Sequence, residues 1–108
     1  PPVVELGPHV APLAMKFYTG TMFPERYRGE IFIAEHGSWN RTPEAGHTGY
    51  NITMVNPETG ATTILIDGWL KNNVAWGRPT DILEMPDGSL LIADDHANVI
   101  YRLTYETP

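Results

Sequence analysis

The chain has 108 residues, with 7 Lys and Arg against 13 Asp and Glu, for a net charge of −6. A hydrophobic share of 42% and a charged share of 19% describe a chain that folds and exclude a disordered one. The acidic balance offers no basic face to nucleic acid. No apolar run approaches the roughly 20 residues of a membrane span. The lack of cysteine removes disulfides, thiolate metal sites and thiol nucleophiles together.

No segment keeps a helical period, whereas short runs rich in β-branched and aromatic residues alternate with Gly and Pro. In chain order the expected strands are Leu13–Tyr18, Glu30–Glu35, Tyr50–Val55, Thr62–Ile66, Thr80–Glu84, Ser89–Ala93 and Val99–Tyr105. Glu30 to Ala34 is apolar on both faces and reads as a buried inner strand. Asn56-Pro57-Glu58-Thr59-Gly60 and Met85-Pro86-Asp87-Gly88 are turns, with Pro setting φ and Gly accepting its positive values.

An internal repeat runs through these strands. Gly29-Glu30-Ile31-Phe32-Ile33-Ala34-Glu35-His36 aligns with Gly88-Ser89-Leu90-Leu91-Ile92-Ala93-Asp94-Asp95. A Pro and an apolar strand precede each copy, and a strand carrying Tyr50 or Tyr101 follows or opens after it. Repeats of roughly 40–60 residues built of short strands are the signature of β-propeller blades. The expected fold is therefore all-β, made of two consecutive antiparallel blades. Residues 1–69 form one four-stranded blade with its lead-in, and residues 70–108 form a three-stranded blade lacking its outer strand. A free-standing antiparallel sandwich of seven strands is the other architecture that fits. A free edge strand predicts strand exchange or self-association. The start at Pro1-Pro2 suggests an internal piece of a longer chain.

His36-Gly37-Ser38-Trp39-Asn40-Arg41, Gly77-Arg78-Pro79 and Pro86-Asp87-Gly88-Ser89-Leu90-Leu91 resemble the C-terminal part of the glucose/sorbosone dehydrogenases. The likeness extends over most of the chain from His9. That resemblance implies a six-bladed propeller holding pyrroloquinoline quinone (PQQ) and Ca2+, oxidation of a small sugar, and a periplasmic or secreted location. It also implies that Arg78 contacts the cofactor. Soluble glucose dehydrogenases carry Arg-x-Arg-Asp at this place, and Thr80 here replaces the second Arg. Arg41 or His36 is then the candidate for the missing contact. The family's general base is a His of an earlier blade, so no catalytic residue is assigned.

PQQ is planar and carries three carboxylates, so it calls for Arg forks and flat partners. Arg78, Arg41, His36, Asn40 and Trp39 are the candidate cofactor-binding residues. Each also has a structural reading: a strand-end ion pair for the arginines, a bond to a loop carbonyl for His36, packing for the tryptophans. His47 and His96 read as exposed loop residues, and Trp69 as packing. Asp94-Asp95 lacks the spacing of a calcium loop and reads as a turn cap or a link between blades. No metal ligands are assigned. The whole protein is expected to be a PQQ-dependent sugar dehydrogenase. The alternatives are a propeller scaffold without redox activity and a calcium-dependent lactonase-like propeller.

Overall fold

The computed structural model describes residues 1–108, which form antiparallel β-sheet with one 3₁₀ turn at Glu25–Tyr27. The first sheet takes four strands in chain order: β1 (Pro12–Phe17), β2 (Ile31–Glu35), β3 (Asn51–Val55) and β4 (Thr62–Ile66). A short hairpin follows, β5 (Leu70–Lys71) and β6 (Val74–Ala75). The last sheet has three strands, β7 (Pro79–Glu84), β8 (Leu90–Asp94) and β9 (Val99–Leu103). The expected strands all form, with ends shifted by a residue or two. The hairpin goes beyond them. Its turn has Asn72 and Asn73 at φ 50° and 61°, which Asn tolerates better than most residues.

Directly opposed residues share a sheet face. The register Ala14↔Ala34↔Ile52 therefore defines the inner face of the first sheet, with Phe32↔Met54 beside it. These residues meet Ile82, Leu90 and Ile92 of the last sheet in one cluster that also takes in Tyr18, Tyr50 and Trp69. Burial of such side chains, each worth about 1.5–3 kcal/mol, is what holds the two sheets face to face. Phe32 to Glu35 are all buried, as expected for an inner strand. Both sheets remain open. Their outward faces are not polar: Met15 (74% exposed), Phe17 and Ile64 lie on one, and Leu83 and Ile100 (69%) on the other.

The packing gives the molecule two distinct ends. At one, here called the closed end, the β1–β2 loop meets the β7–β8 hairpin. The Tyr18 hydroxyl donates to the Gly88 carbonyl (2.7 Å) and accepts from the Phe23 N–H (3.1 Å). Thr19 gives its N–H and its hydroxyl to the two carboxylate oxygens of Glu84, both at 2.9 Å. At the other end, the rim, lie the lead-in to β1, the β2–β3 loop, the β5–β6 hairpin and the β8–β9 turn. The β2–β3 loop runs from His36 to Tyr50, whereas its repeat counterpart runs only from Asp95 to Asn98.

Candidate functional site

The rim brings together residues that follow β2, precede β7 and follow β8. His36 leaves β2 with its N–H donated to Ala11 O (2.9 Å). Its Nε2 lies 2.8 Å from Asp95 Oδ1, across the two sheets and 59 residues away in sequence. The ring is mostly covered (18% side-chain exposure), and the carboxylate is open to solvent. Arg78 reaches over from the start of β7. Its Nε donates to His36 O (3.0 Å) and its Nη2 to Gly37 O (2.7 Å). The guanidinium sits 5.3 Å from the Tyr50 ring centroid, a cation–π distance.

Asp94, one residue before Asp95, holds the turn beneath. It is buried and accepts from the N–H groups of Arg78, His96 and Ala97 and from the Tyr101 hydroxyl (2.7 Å). Burial pushes this carboxyl up, but the donors, led by the Ala97 and Arg78 N–H groups, outweigh it and leave it below its ordinary value. Tyr101 is raised, by burial first and then by Asp94. Glu35, the last residue of β2, is buried with its carboxylate accepting from Thr53 Oγ1 (2.8 Å). Its pKa is raised by burial, only partly offset by that bond.

The long loop carries the other candidates. Arg41 turns back on its own loop, with Nε on Gly46 O (2.6 Å) and Nη2 on Ala45 O (3.5 Å). Trp39 is 79% exposed, and Asn40 is exposed beside it. Beneath them Ser38 is buried. Its Oγ pairs with His47 Nδ1 and accepts from the Thr48 N–H, both at 3.0 Å, and the Tyr50 hydroxyl donates to its carbonyl.

The rim thus joins two of the five sequence candidates, His36 and Arg78. No contact ties Arg41, Asn40 or Trp39 to that pair. Neither arginine makes the strand-end ion pair of the structural reading, since both bond carbonyl oxygens. Asp94 is a turn cap and Asp95 a link between sheets, as read from the sequence. His47 is not an exposed loop residue: its ring is half-buried against Tyr50, at 5.7 Å between centroids. One participant escaped the sequence reading. Tyr50 supplies the ring under Arg78, and nothing in its local pattern announces this. Asp95 was signalled, because the repeat sets it opposite His36, and equivalent ends of facing sheets can meet.

A TrAA12-like family model matches residues 1–106. The chain is 44% identical over 112 residues to an uncharacterized protein of Borreliella burgdorferi, covering 98% of this chain and 29% of that one. It is also 44% identical over 61 residues to a pyrroloquinoline quinone-dependent pyranose dehydrogenase of Coprinopsis cinerea, covering 56% of this chain and 7% of that one. The chain therefore spans under a third of the length of either relative. An iodide structure of the Trichoderma reesei carbohydrate-active enzymes family AA12 superposes with a TM-score of 0.64 at 22% identity, over 87% of this chain and 24% of that chain. At that identity the likeness concerns the fold alone.

These matches correct the assignment to the C-terminal part of the glucose/sorbosone dehydrogenases. The motifs behind that resemblance are fold determinants here. Gly88 lies under Tyr18, Arg78 clamps two carbonyls, and Gly37 is packed against the Tyr50 ring. Residues with such jobs can recur wherever the same strand ends must be tied, so they do not separate one family from another. The match that runs through strands, turns and loops together, from residue 1 to residue 106, does: the chain belongs to the TrAA12-like family.

Proposed function

We propose that this chain is part of a PQQ-dependent sugar oxidoreductase and that its rim holds one edge of the cofactor. The observation that carries the proposal is the convergence of Arg78 and the His36–Asp95 pair from two sheets. The identity with a PQQ-dependent pyranose dehydrogenase supports it. The donor set suits a carboxylated quinone in part. Arg78 has five N–H donors and uses two on carbonyls, so a carboxylate can take others. The Tyr50 ring gives the guanidinium a cation–π partner at 5.3 Å. Asp95 holds the His36 ring through Nε2, which leaves Nδ1 to donate to, or take a proton from, a group on the rim. The cofactor supplies the redox chemistry, and these side chains position it.

Calcium does not fit these residues. Asp94 is saturated by four donors, Asp95 is paired with His36, and no three His, Asp or Glu side chains converge.

The same reading makes the two sheets consecutive propeller blades, residues 1–69 with the lead-in and residues 70–108 with the free edge of β9. Both outward faces expose large apolar side chains, which suits sheets stacked between further sheets better than a sandwich standing alone. A second reading, a propeller scaffold without redox activity, is favoured by the carbonyl bonds that occupy both arginines.

Titration of the whole polypeptide with PQQ, followed by quinone absorbance, tests the proposal. Saturable uptake is expected. Arg78→Lys keeps the charge but loses the fork and should weaken it about tenfold, or ~1.4 kcal/mol. The circular dichroism spectrum should be unchanged. An absence of PQQ uptake by the folded wild-type protein would leave the scaffold reading in its place.

A further inference from the structure

We infer that Tyr50 is the positioning residue of the rim: its ring, anchored by its own hydroxyl, sets where the Arg78 guanidinium stands. The inference rests on the proposed function and deepens it, since it names what holds the cofactor clamp ready.

The repeat supplies the first observation. β2 and β3 pair Glu35 with Asn51, and β8 and β9 pair Asp94 with Val99. Glu35 and Asp94 are equivalent in the repeat, so the residues just before the third strands, Tyr50 and Asn98, are equivalent too. Both are left-handed, at φ 63° and 60°. Asn takes this conformation more readily than most residues, because its short polar side chain can bond locally. Tyr takes it at a cost that the surrounding structure must cover. The first repeat therefore keeps a strained aromatic residue at a turn position that the second fills with Asn. That points to work done by the ring itself.

The contacts show what the work is. Tyr50 is buried, at 4% exposure. Gly37, with φ 100°, lies against the ring, and a Cβ there would run into three ring atoms. The Tyr50 hydroxyl donates to Ser38 O, and the His47 ring meets Tyr50 edge-on at 5.7 Å. Arg78 takes the two carbonyls before that one, His36 O at 3.0 Å and Gly37 O at 2.7 Å, with its guanidinium 5.3 Å from the Tyr50 centroid. Three successive carbonyls are thus held by one cation and the ring beside it. Arg is a rotamer-rich side chain, and ordering it before a ligand arrives lowers the cost of binding. Tyr50 supplies that order from beneath, and its hydroxyl ties the clamp to the base of the β2–β3 loop.

The test uses the whole polypeptide. Solvent exchange of the Arg78 Nε–H, read by 15N NMR without cofactor and assigned through its loss in Arg78→Lys, reports the clamp directly. Slow exchange is expected in the wild type, since a bonded N–H exchanges only when it opens. Tyr50→Phe keeps the ring and should change the rate by no more than about threefold. Tyr50→Asn eases the backbone but removes the ring, and should speed exchange at least tenfold. Tyr50→Leu, apolar but without a π face, takes its place should Tyr50→Asn fail to fold. In PQQ titrations the ring-less variant should lose about as much affinity as Arg78→Lys. The double variant should be weaker than either single one by no more than about twofold, because both changes remove the same ordered group. The inference is overturned if the wild-type Nε–H exchanges like that of a free Arg, or if it stays protected without the ring. It is also overturned if Tyr50→Phe speeds exchange as much as removal of the ring, or if the two losses of PQQ affinity multiply. A wild-type protein that takes up no PQQ would defeat the cofactor reading, while the exchange rates would still decide the role of Tyr50.

Discussion

The two ends of the sheets solve the same joining problem with different chemistry. At the closed end every residue with positive φ is a glycine: Gly29, Gly60 and Gly88. Gly20 and Gly88 pack closely there, and the polar contacts that cross run from the Tyr18 hydroxyl to Gly88 O and from Thr19 to the Glu84 carboxylate. At the rim the left-handed positions include His9 (φ 57°), Ala11 (53°) and Tyr50 (63°). These residues pay for that conformation, and only surrounding structure keeps them in it. The contacts between sheets at the rim are side chains that can also bind, such as His36, Asp95 and Arg78. The contrast teaches that one end is built for fit, while the other tolerates strain in order to present groups.

The sharpest way to break the comparison is to disturb the fit. Gly88 has φ +89°, and a Cβ there would lie 2.9 Å from Met22 Cβ and 3.0 Å from the Tyr18 hydroxyl. Gly20 is equally confined, since its Cβ would meet Gly88 Cα at 2.9 Å. Gly88→Ala is expected to cost about 3 kcal/mol, from a strained backbone and an overpacked contact together. Urea denaturation of the whole polypeptide would read this as a lower midpoint at unchanged slope. A loss under about 1 kcal/mol would mean that the closed end has slack, and the contrast would fail.

The rim predicts the opposite sign. Ala11 sits at φ 53° just before β1, and its carbonyl accepts from the His36 N–H. Ala11→Gly keeps that bond and removes the Cβ that makes the conformation costly. A gain of roughly 0.5–1 kcal/mol is expected, set against the greater freedom of glycine in the unfolded chain. Thermal melting of the variant beside Gly88→Ala would show shifts of opposite direction. Equal losses in both would mean that the rim carries no stored strain.

This difference between the ends was only half legible in the sequence. The strands could be read because β-branched runs alternate with Gly and Pro. The repeat then fixed which strand ends correspond. The closed-end turn was equally plain, since Pro86-Asp87-Gly88 needs no distant partner to be recognised. The rim resisted for a physical reason: its arrangement depends on contacts far apart in the chain. From the sequence Arg78 reads as a cofactor contact or a strand-end ion pair, and only folding brings the carbonyls of His36 and Gly37 within reach of its guanidinium. Arg41 carries the same charge, yet its loop folds back and takes the guanidinium. The β5–β6 hairpin escaped because Asn72-Asn73 turns without the Gly or Pro that marks the other turns. Tyr50 was visible as a strand-end aromatic, but its positive φ and its contacts with Gly37 and Arg78 belong to the folded chain and not to its local pattern.

The mildest probe of the two ends is pH, because the rim holds carboxyls shifted both up and down, while the closed end holds one shifted down. Asp87, at the closed end, lies below its ordinary value chiefly through the hydroxyl and N–H of Ser89, with Arg102 adding to it. Asp94 at the rim is also lowered. A carboxyl depressed by folding adds stability above its unfolded pKa, and that stability is lost as pH falls through the folded value. Glu35 is raised, so it acts in reverse. Its buried charge costs stability at neutral pH, and the cost vanishes as pH falls through the raised value. Stability should therefore climb slightly as pH drops from neutral toward the ordinary carboxylate range, then fall below it as Asp94 and Asp87 take up protons. Glu35→Gln keeps an acceptor for Thr53 Oγ1 and should flatten the climb while leaving the acid loss in place. Asp94→Asn should do the reverse, removing part of the acid loss at the expense of overall stability. Urea midpoints measured across the pH range in both variants decide the matter. A climb that survives Glu35→Gln would show that the charge buried beside the rim is not its source.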